Sequence, residues 1–249
     1  MHVRTTGPLD APVLLFIHGG GMAGWMWSSQ ITHFEQRYRI LVPDLPGHDK
    51  SSDEEFTTSA DVVAALAEEV RALPDGTDVT VIGFSLGAQI TIALAAAHPD
   101  LVDRVVVVSA LTQGAPLPGV VDWIVGVTAP LARRPGFAKL QAKSLFVPDE
   151  LLDDYLRTSA ALSKESLVAL TRANAVFRTP DSWRDYPGQA LLLAGSKEPR
   201  ALLRAMPRLH ADLPGSEWEV HPGTGHGLPL AHPAWFNTRV DEWIARHSR

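Results

Sequence analysis

Hydrophobic residues along this chain fall into short unbroken runs, separated by longer stretches whose apolar positions recur at helical spacing. The runs are PVLLFIH (12–18), RILVPD (39–44), DVTVIGFS (78–85), VDRVVVVSA (102–110), QALLLAG (189–195) and EWEVHPG (217–223). Most are continuous rather than alternating, the pattern of strands buried on both faces of a parallel sheet. Between them, TTSADVVAALAEEVRALP (57–74) reads as a helix with Ser59 as its N-cap, and LGAQITIALAAAHPD (86–100) as a helix closed by His98-Pro99. Alternation of strand and helix predicts right-handed crossovers and a doubly wound α/β sheet. The leading HVRTTG adds one short antiparallel edge strand.

The alternation breaks between Gln113 and Gly188. The predicted helices there are VVDWIVGVTAPLARR (120–134), DELLDDYLRTSAAL (149–162) and SKESLVALTRANAVF (163–177). Ser163 can cap the last, although Ser166 stands where a full capping box would need Glu or Gln. The expected organisation is a core of residues 1–112 and 189–249 with a helical lid of residues 113–188 inserted in it. No internal repeat or low-complexity segment interrupts this picture.

Composition narrows the chemistry. With 249 residues, 45% of them hydrophobic, the chain can bury one large core. Its formal charge of −6 and scattered Lys and Arg provide no basic stripe, which argues against nucleic acid as a partner. The absence of cysteine removes disulfides, thiolate nucleophiles and Cys-ligated zinc. The N-terminus lacks a signal-peptide pattern, and no run approaches the roughly 20 apolar residues of a membrane span. The expectation is a cytoplasmic protein that does not insert into membranes.

Two loops carry candidate chemistry. VTVIGFSLGAQITIAL sets Ser85 between Gly83 and Gly87, directly after a strand and before a helix, the setting a G-x-S-x-G turn requires. So sharp a turn has no room for side chains two residues either side of the serine, and the helix start favours a developing anion. The second loop, FIHGGGMAGWMW, puts Gly19, Gly20 and Gly21 after the first central strand. Glycines there free backbone N–H groups to converge on one oxygen as an oxyanion hole, for which Leu86 and Gly20 are assigned, with Gly21 as second choice. A phosphate cradle is disfavoured because no Lys-Ser or Lys-Thr pair follows.

HGGG, PDLPGHDKSS, GFSLG and GTGHG, in that order and each at a strand end, resemble the α/β-hydrolase family. The resemblance covers nearly the whole chain and is weakest over 113–188. It implies a mostly parallel sheet, a helical cap inserted where the alternation breaks, and a chain that starts at the family's second strand. It also implies a Ser, acid, His order. His226, on the glycine-rich loop after the last strand, matches the family's catalytic base, whereas His221 reads as a sheet residue. The acid is expected after the strand that follows the lid, where Glu198 stands three residues past Gly195. The family more often carries Asp at that position, although either carboxylate can hold an imidazole. Asp122, Asp185 and Asp212 are competitors at less suitable places, and a solvated Glu198 beside Lys197 is the plain alternative.

A serine at position 85 argues against the family's haloalkane dehalogenases and epoxide hydrolases, which use Asp. The expected function is hydrolysis of an ester or thioester-like bond of a small-molecule substrate through an acyl-enzyme, with no metal or cofactor. Lyase, C–C hydrolase or cyclase use of the same triad, or a non-catalytic receptor on this scaffold, are the alternatives. Trp25, Met26 and Trp27, with Trp123, Phe137, Phe146 and Phe177 in the lid, suggest an apolar pocket above the serine.

Overall fold

In the computed structural model, which describes residues 1–114 and 135–248, the apolar runs line up in one sheet. Its strands among the described residues are β1 (His2–Thr6), β2 (Val13–Ile17), β3 (Arg39–Asp44), β4 (Val79–Phe84), β5 (Arg104–Val108), β6 (Gln189–Gly195) and β7 (Glu217–His221). They lie in the order β1-β3-β2-β4-β5-β6-β7; β1 runs antiparallel to β3 and every other pairing is parallel.

Burial explains the unbroken runs. Every residue of β2, β4 and β5 is buried, and successive side chains feed opposite cores. Val13, Leu15 and Ile17 join one apolar cluster, while Leu14 and Phe16 join the other. The helices of seven or more residues among the described residues are α1 (Ser28–Phe34), α2 (Ser59–Arg71), α3 (Leu86–Ala97), α4 (Pro135–Ser144), α5 (Leu152–Ala161), α6 (Lys164–Val176), α7 (Arg200–Asp212) and α8 (Pro233–His247). Helices α2, α3 and α7 cover the first cluster, and α1 and α8 the second, which is the double winding expected. The edge strand β7 is half-exposed, so its sequence EWEVH mixes charged and apolar residues.

Two caps differ in outcome. Helix α2 is capped by Thr58, not Ser59: Thr58 has extended backbone and its hydroxyl accepts from the Asp61 N–H at 3.2 Å, while Ser59 is already helical. Helix α6 has Ser163 as its cap, accepting from the Ser166 N–H at 2.9 Å. The helix expected over 120–134, with Asp122 and Trp123, lies outside the described residues. Helices α4 to α6 occupy the described part of the stretch between β5 and β6, and no strand interrupts them there.

Candidate active site

Ser85, Ser109 and Glu198 all follow the carboxyl ends of parallel strands, the edge of the sheet where α/β folds place ligands. Ser85 follows β4 with φ 55° and ψ −115°, a conformation that costs a non-glycine residue free energy. Its neighbours explain how that turn closes. A Cβ on Gly83 would overlap the Gly87 carbonyl and Thr91 Oγ1, and one on Gly87 would overlap the Ile17 and His18 carbonyls. The Ser85 N–H donates to the Val108 carbonyl at 2.9 Å, pinning the turn to the next strand.

From Ser85 a chain of hydrogen bonds runs inward. His226 Nε2 lies 3.0 Å from Ser85 Oγ, and His226 Nδ1 lies 3.0 Å from Glu198 Oε2. The Glu198 side chain is wholly buried, whereas that of His226 keeps 27% of its surface exposed. Ser109 Oγ donates to the other carboxylate oxygen, Glu198 Oε1, at 2.5 Å. With Oε1 accepting a hydrogen bond from Ser109, Oε2 is best served by an N–H on His226 Nδ1, which leaves Nε2 as the acceptor facing Ser85. The acid and histidine loops are also tied through backbone. The Ser196 N–H reaches the His221 carbonyl at 2.9 Å, and the Lys197 N–H reaches the Thr224 carbonyl at 2.8 Å. Lys197 is exposed and Glu198 is not, so Glu198 is not a solvated surface charge. Asp185 lies at the end of a short 3-10 turn, and Asp212 pairs with Arg184 at 3.1 Å.

The glycine loop is held by two buried histidines. His18 Nδ1 donates to the Gly19 carbonyl at 2.8 Å and its Nε2 accepts the Leu45 N–H at 2.9 Å. His48 Nδ1 donates to the Pro46 carbonyl at 2.9 Å and its Nε2 accepts the Gly21 N–H at 3.0 Å. The Gly21 amide is therefore occupied. Among the described residues, no backbone hydrogen bond uses the N–H of Gly20 or Leu86. Burial lowers His18 to about 4 and His48 to about 3. Both values lie below the ordinary 6.5, so the unfolded chain binds more protons below pH 6.5, and stability falls on acidification toward the folded values. Between pH 6.5 and 5 each histidine is expected to remove on the order of 1–2 kcal/mol. Urea midpoints measured across that window should drop accordingly, and His48→Gln, whose amide oxygen can still accept from Gly21, should reduce the drop. Identical slopes for parent and variant would count against this account.

The apolar residues named for a pocket divide among the core, the cavity and the surface. Met26 and Trp27 are buried in the core, Trp27 packing 5.1 Å from Phe16 between ring centroids, because their short 3-10 turn directs them beneath the sheet. Trp25 reaches Thr158 Oγ1 at 3.0 Å, and Phe137 is exposed. Phe146 lines a cavity that also holds Ser85 and His226. Ser109 was not among the sequence-derived candidates. Its signal was a lone polar residue after VVVV in the strand that lies between those of Ser85 and Glu198. No group of three or more His, Cys, Asp or Glu among the described residues converges as a metal site would require. No helix among them is long and apolar enough to cross a membrane.

Comparison with known proteins agrees with this architecture. A profile of the α/β-hydrolase family matches residues 14–239. The chain is 36% identical over 141 residues to the magnesium-chelatase 30 kDa subunit of Rhodobacter capsulatus, a match spanning 55% of this chain and 46% of that protein. It is 32% identical over 260 residues to the pimeloyl-[acyl-carrier protein] methyl ester esterase of Neisseria meningitidis serogroup C, covering 97% of this chain and 96% of the relative. A structure from work on carboxylesterases of the thaumarchaeon Nitrososphaera gargenis superposes with a TM-score of 0.83 at 19% identity, over 99% of this chain and 94% of that one. Sheet order, strand-end residues and family profile agree, and the chain belongs to the α/β-hydrolase family.

Proposed function

We propose that this protein is a serine hydrolase that cleaves a carboxylic ester or thioester of a small, apolar substrate through an acyl-enzyme on Ser85. The observation that carries this reading is the continuous hydrogen-bond chain from Ser85 Oγ through His226 to the buried Glu198 carboxylate. Relatives that include a methyl ester esterase support the reaction class.

In the first half-reaction Ser85 Oγ bonds to the carbonyl carbon while its proton passes to His226 Nε2. Charge on the former carbonyl oxygen is met by the N–H groups of Gly20 and Leu86, which have no competing backbone acceptor among the described residues. The imidazolium proton then passes to the leaving oxygen or sulfur as its bond to carbon breaks. In the second half-reaction water gives a proton to His226 and its oxygen to the acyl carbon, and the Ser85 ester bond breaks with return of that proton. Glu198 holds the Nδ1 proton and stabilises the imidazolium without taking the proton itself. Ser109 is a positioning residue for Glu198. Residues 113–188 form the cap in this reading, and of its described residues Leu145, Phe146, Tyr155, Leu162 and Leu170 line the space beside Ser85.

The test is exposure to a fluorophosphonate probe, followed by mass spectrometry and assay on p-nitrophenyl esters. The expected result is one phosphonyl adduct on the peptide holding Ser85, with loss of ester turnover in proportion to labelling. A protein that neither labels there nor turns over any ester would sink the proposal.

A further inference from the structure

Ser85 sits where two unequal cavities meet. Among the described residues, one of about 200 Å³ is bounded by Gly20, Leu86, Tyr155, Leu162 and Leu170. The other, of about 590 Å³, is bounded by His226, Leu111, Leu145, Phe146, Pro199 and Leu202. The apolar side chains that close them come from different parts of the chain: α5, α6 and their junction over the glycine loop on one side, the residues just after α4 and the acid loop on the other, while Gln141 of α4 also lines the small cavity and Asn174 of α6 lines both.

The chemistry of acyl transfer decides which part of an ester enters which cavity. This step rests on the serine hydrolase reading above. A tetrahedral carbon on Ser85 Oγ carries three other groups: the oxyanion, the leaving oxygen and the acyl carbon. The oxyanion points to the Gly20 and Leu86 amides. The leaving oxygen must come within hydrogen-bond reach of His226 Nε2, because that nitrogen returns the proton. Its alcohol group therefore continues into the cavity that His226 walls. The acyl chain is left with the space over Gly20 and Leu86.

We infer that the protein is selective for esters of small acids with large apolar alcohols. At about 30 Å³ for each water-sized group, a 200 Å³ space takes an acyl chain of about six non-hydrogen atoms. The 590 Å³ space falls within the range that takes a drug-sized group, and its leucine, phenylalanine and proline walls suit an apolar one. Leu170 sets the acyl limit. It is buried on α6, and its Cδ1 lies 3.1 Å from the point where a Cβ on Gly20 would stand, so it forms a ceiling directly over the oxyanion loop. Truncating it opens the small cavity without touching Ser85, His226 or Glu198.

Two ester series test this. In the first, the alcohol is 1-naphthol and the acid lengthens from acetate through butyrate, hexanoate and octanoate to dodecanoate. Expected kcat/KM holds to about C6 and falls at least tenfold by C12, and Leu170→Ala moves the fall at least two carbons outward. In the second, the acid is butyrate and the alcohol grows from methyl through butyl to cyclohexylmethyl, leaving groups of similar basicity. Expected kcat/KM rises at least tenfold along that series, equally in Leu170→Ala, whereas Phe146→Ala flattens the rise and leaves the acyl cutoff in place. If the alanine variant fails to fold, Leu170→Val gives a smaller outward shift by the same mechanism. Faster turnover of methyl decanoate than of cyclohexylmethyl butyrate, or an acyl cutoff unmoved in a folded Leu170 variant, overturns the assignment of cavities while leaving the hydrolase intact. Absence of turnover on every ester, with no fluorophosphonate adduct, overturns both.

Discussion

Ser85→Ala is expected to lower ester turnover on the order of 10⁶-fold, with a residual rate above the uncatalysed reaction supplied by binding and the Gly20 and Leu86 amides. The size follows from cooperation within the chain of hydrogen bonds. Without the Ser85 hydroxyl, His226 has no proton to accept, and its alignment by Glu198 serves nothing. Alanine keeps a Cβ at φ 55°, so the variant carries the same backbone cost as the parent and should melt within a few degrees of it. Burst kinetics with 1-naphthyl acetate and fluorophosphonate labelling check the result together. A variant that retains more than a tenth of the parent rate would show that another group is the nucleophile.

Glu198→Gln is the second large effect, a loss of about 10³- to 10⁴-fold in kcat with little change in KM. In the proposed mechanism the carboxylate contributes in the transition state, where His226 becomes cationic, and a neutral amide cannot meet that charge. An amide NH₂ turned toward Nδ1 would also draw the imidazole into the tautomer that presents an N–H to Ser85. Substituting Asp185 or Asp212 by Asn should leave kcat within about twofold, since both lie outside the hydrogen-bond chain. Ser109 adds a refinement. Its φ of 58° is one that glycine adopts freely, so Ser109→Gly removes the hydroxyl while relieving backbone cost. An expected tenfold fall in kcat, about 1.4 kcal/mol, with an equal or higher melting temperature, separates positioning from structural support. In a double-mutant cycle the Ser109 effect should vanish once Glu198 is Gln, and an undiminished effect would argue for a separate role.

Much of the sheet was legible because β2, β4 and β5 are covered on both faces and admit only apolar residues. Gly83 and Gly87 were legible for a related reason, since no other side chain fits against the backbone they touch. Glu198 could be located by counting from a strand end, and its carboxylate lies 3.0 Å from the imidazole named with it. Less was readable where the outcome depends on neighbours distant in sequence. The hydroxyl of Ser109 meets Glu198 only because β5 lies beside β6, and a serine after a strand has no signature of its own. Occupation of the Gly21 amide by His48 joins residues 27 apart and separates Gly20 from Gly21 as no motif could. The sequence left Met26 and Trp27 unassigned because an apolar residue near a glycine loop can face either the core or the cavity. Thr58 and Ser59 are both good capping residues, and only the backbone angle at Thr58 chooses between them.

The acid loop and the histidine loop are stitched to each other by the amides of Ser196 and Lys197, and Gly195 packs so closely on the Thr224 carbonyl that a side chain there would overlap it. The groups read as catalytic thus hang from one stiff frame of strand ends, while Leu162 and Leu170 hang from a separate stretch of chain. Such a division lets descent proceed at two speeds. Under the proposed function, residues in 152–176 can change, and with them the shapes of the acids accepted, while the frame that carries Ser85, His226 and Glu198 stays as it is.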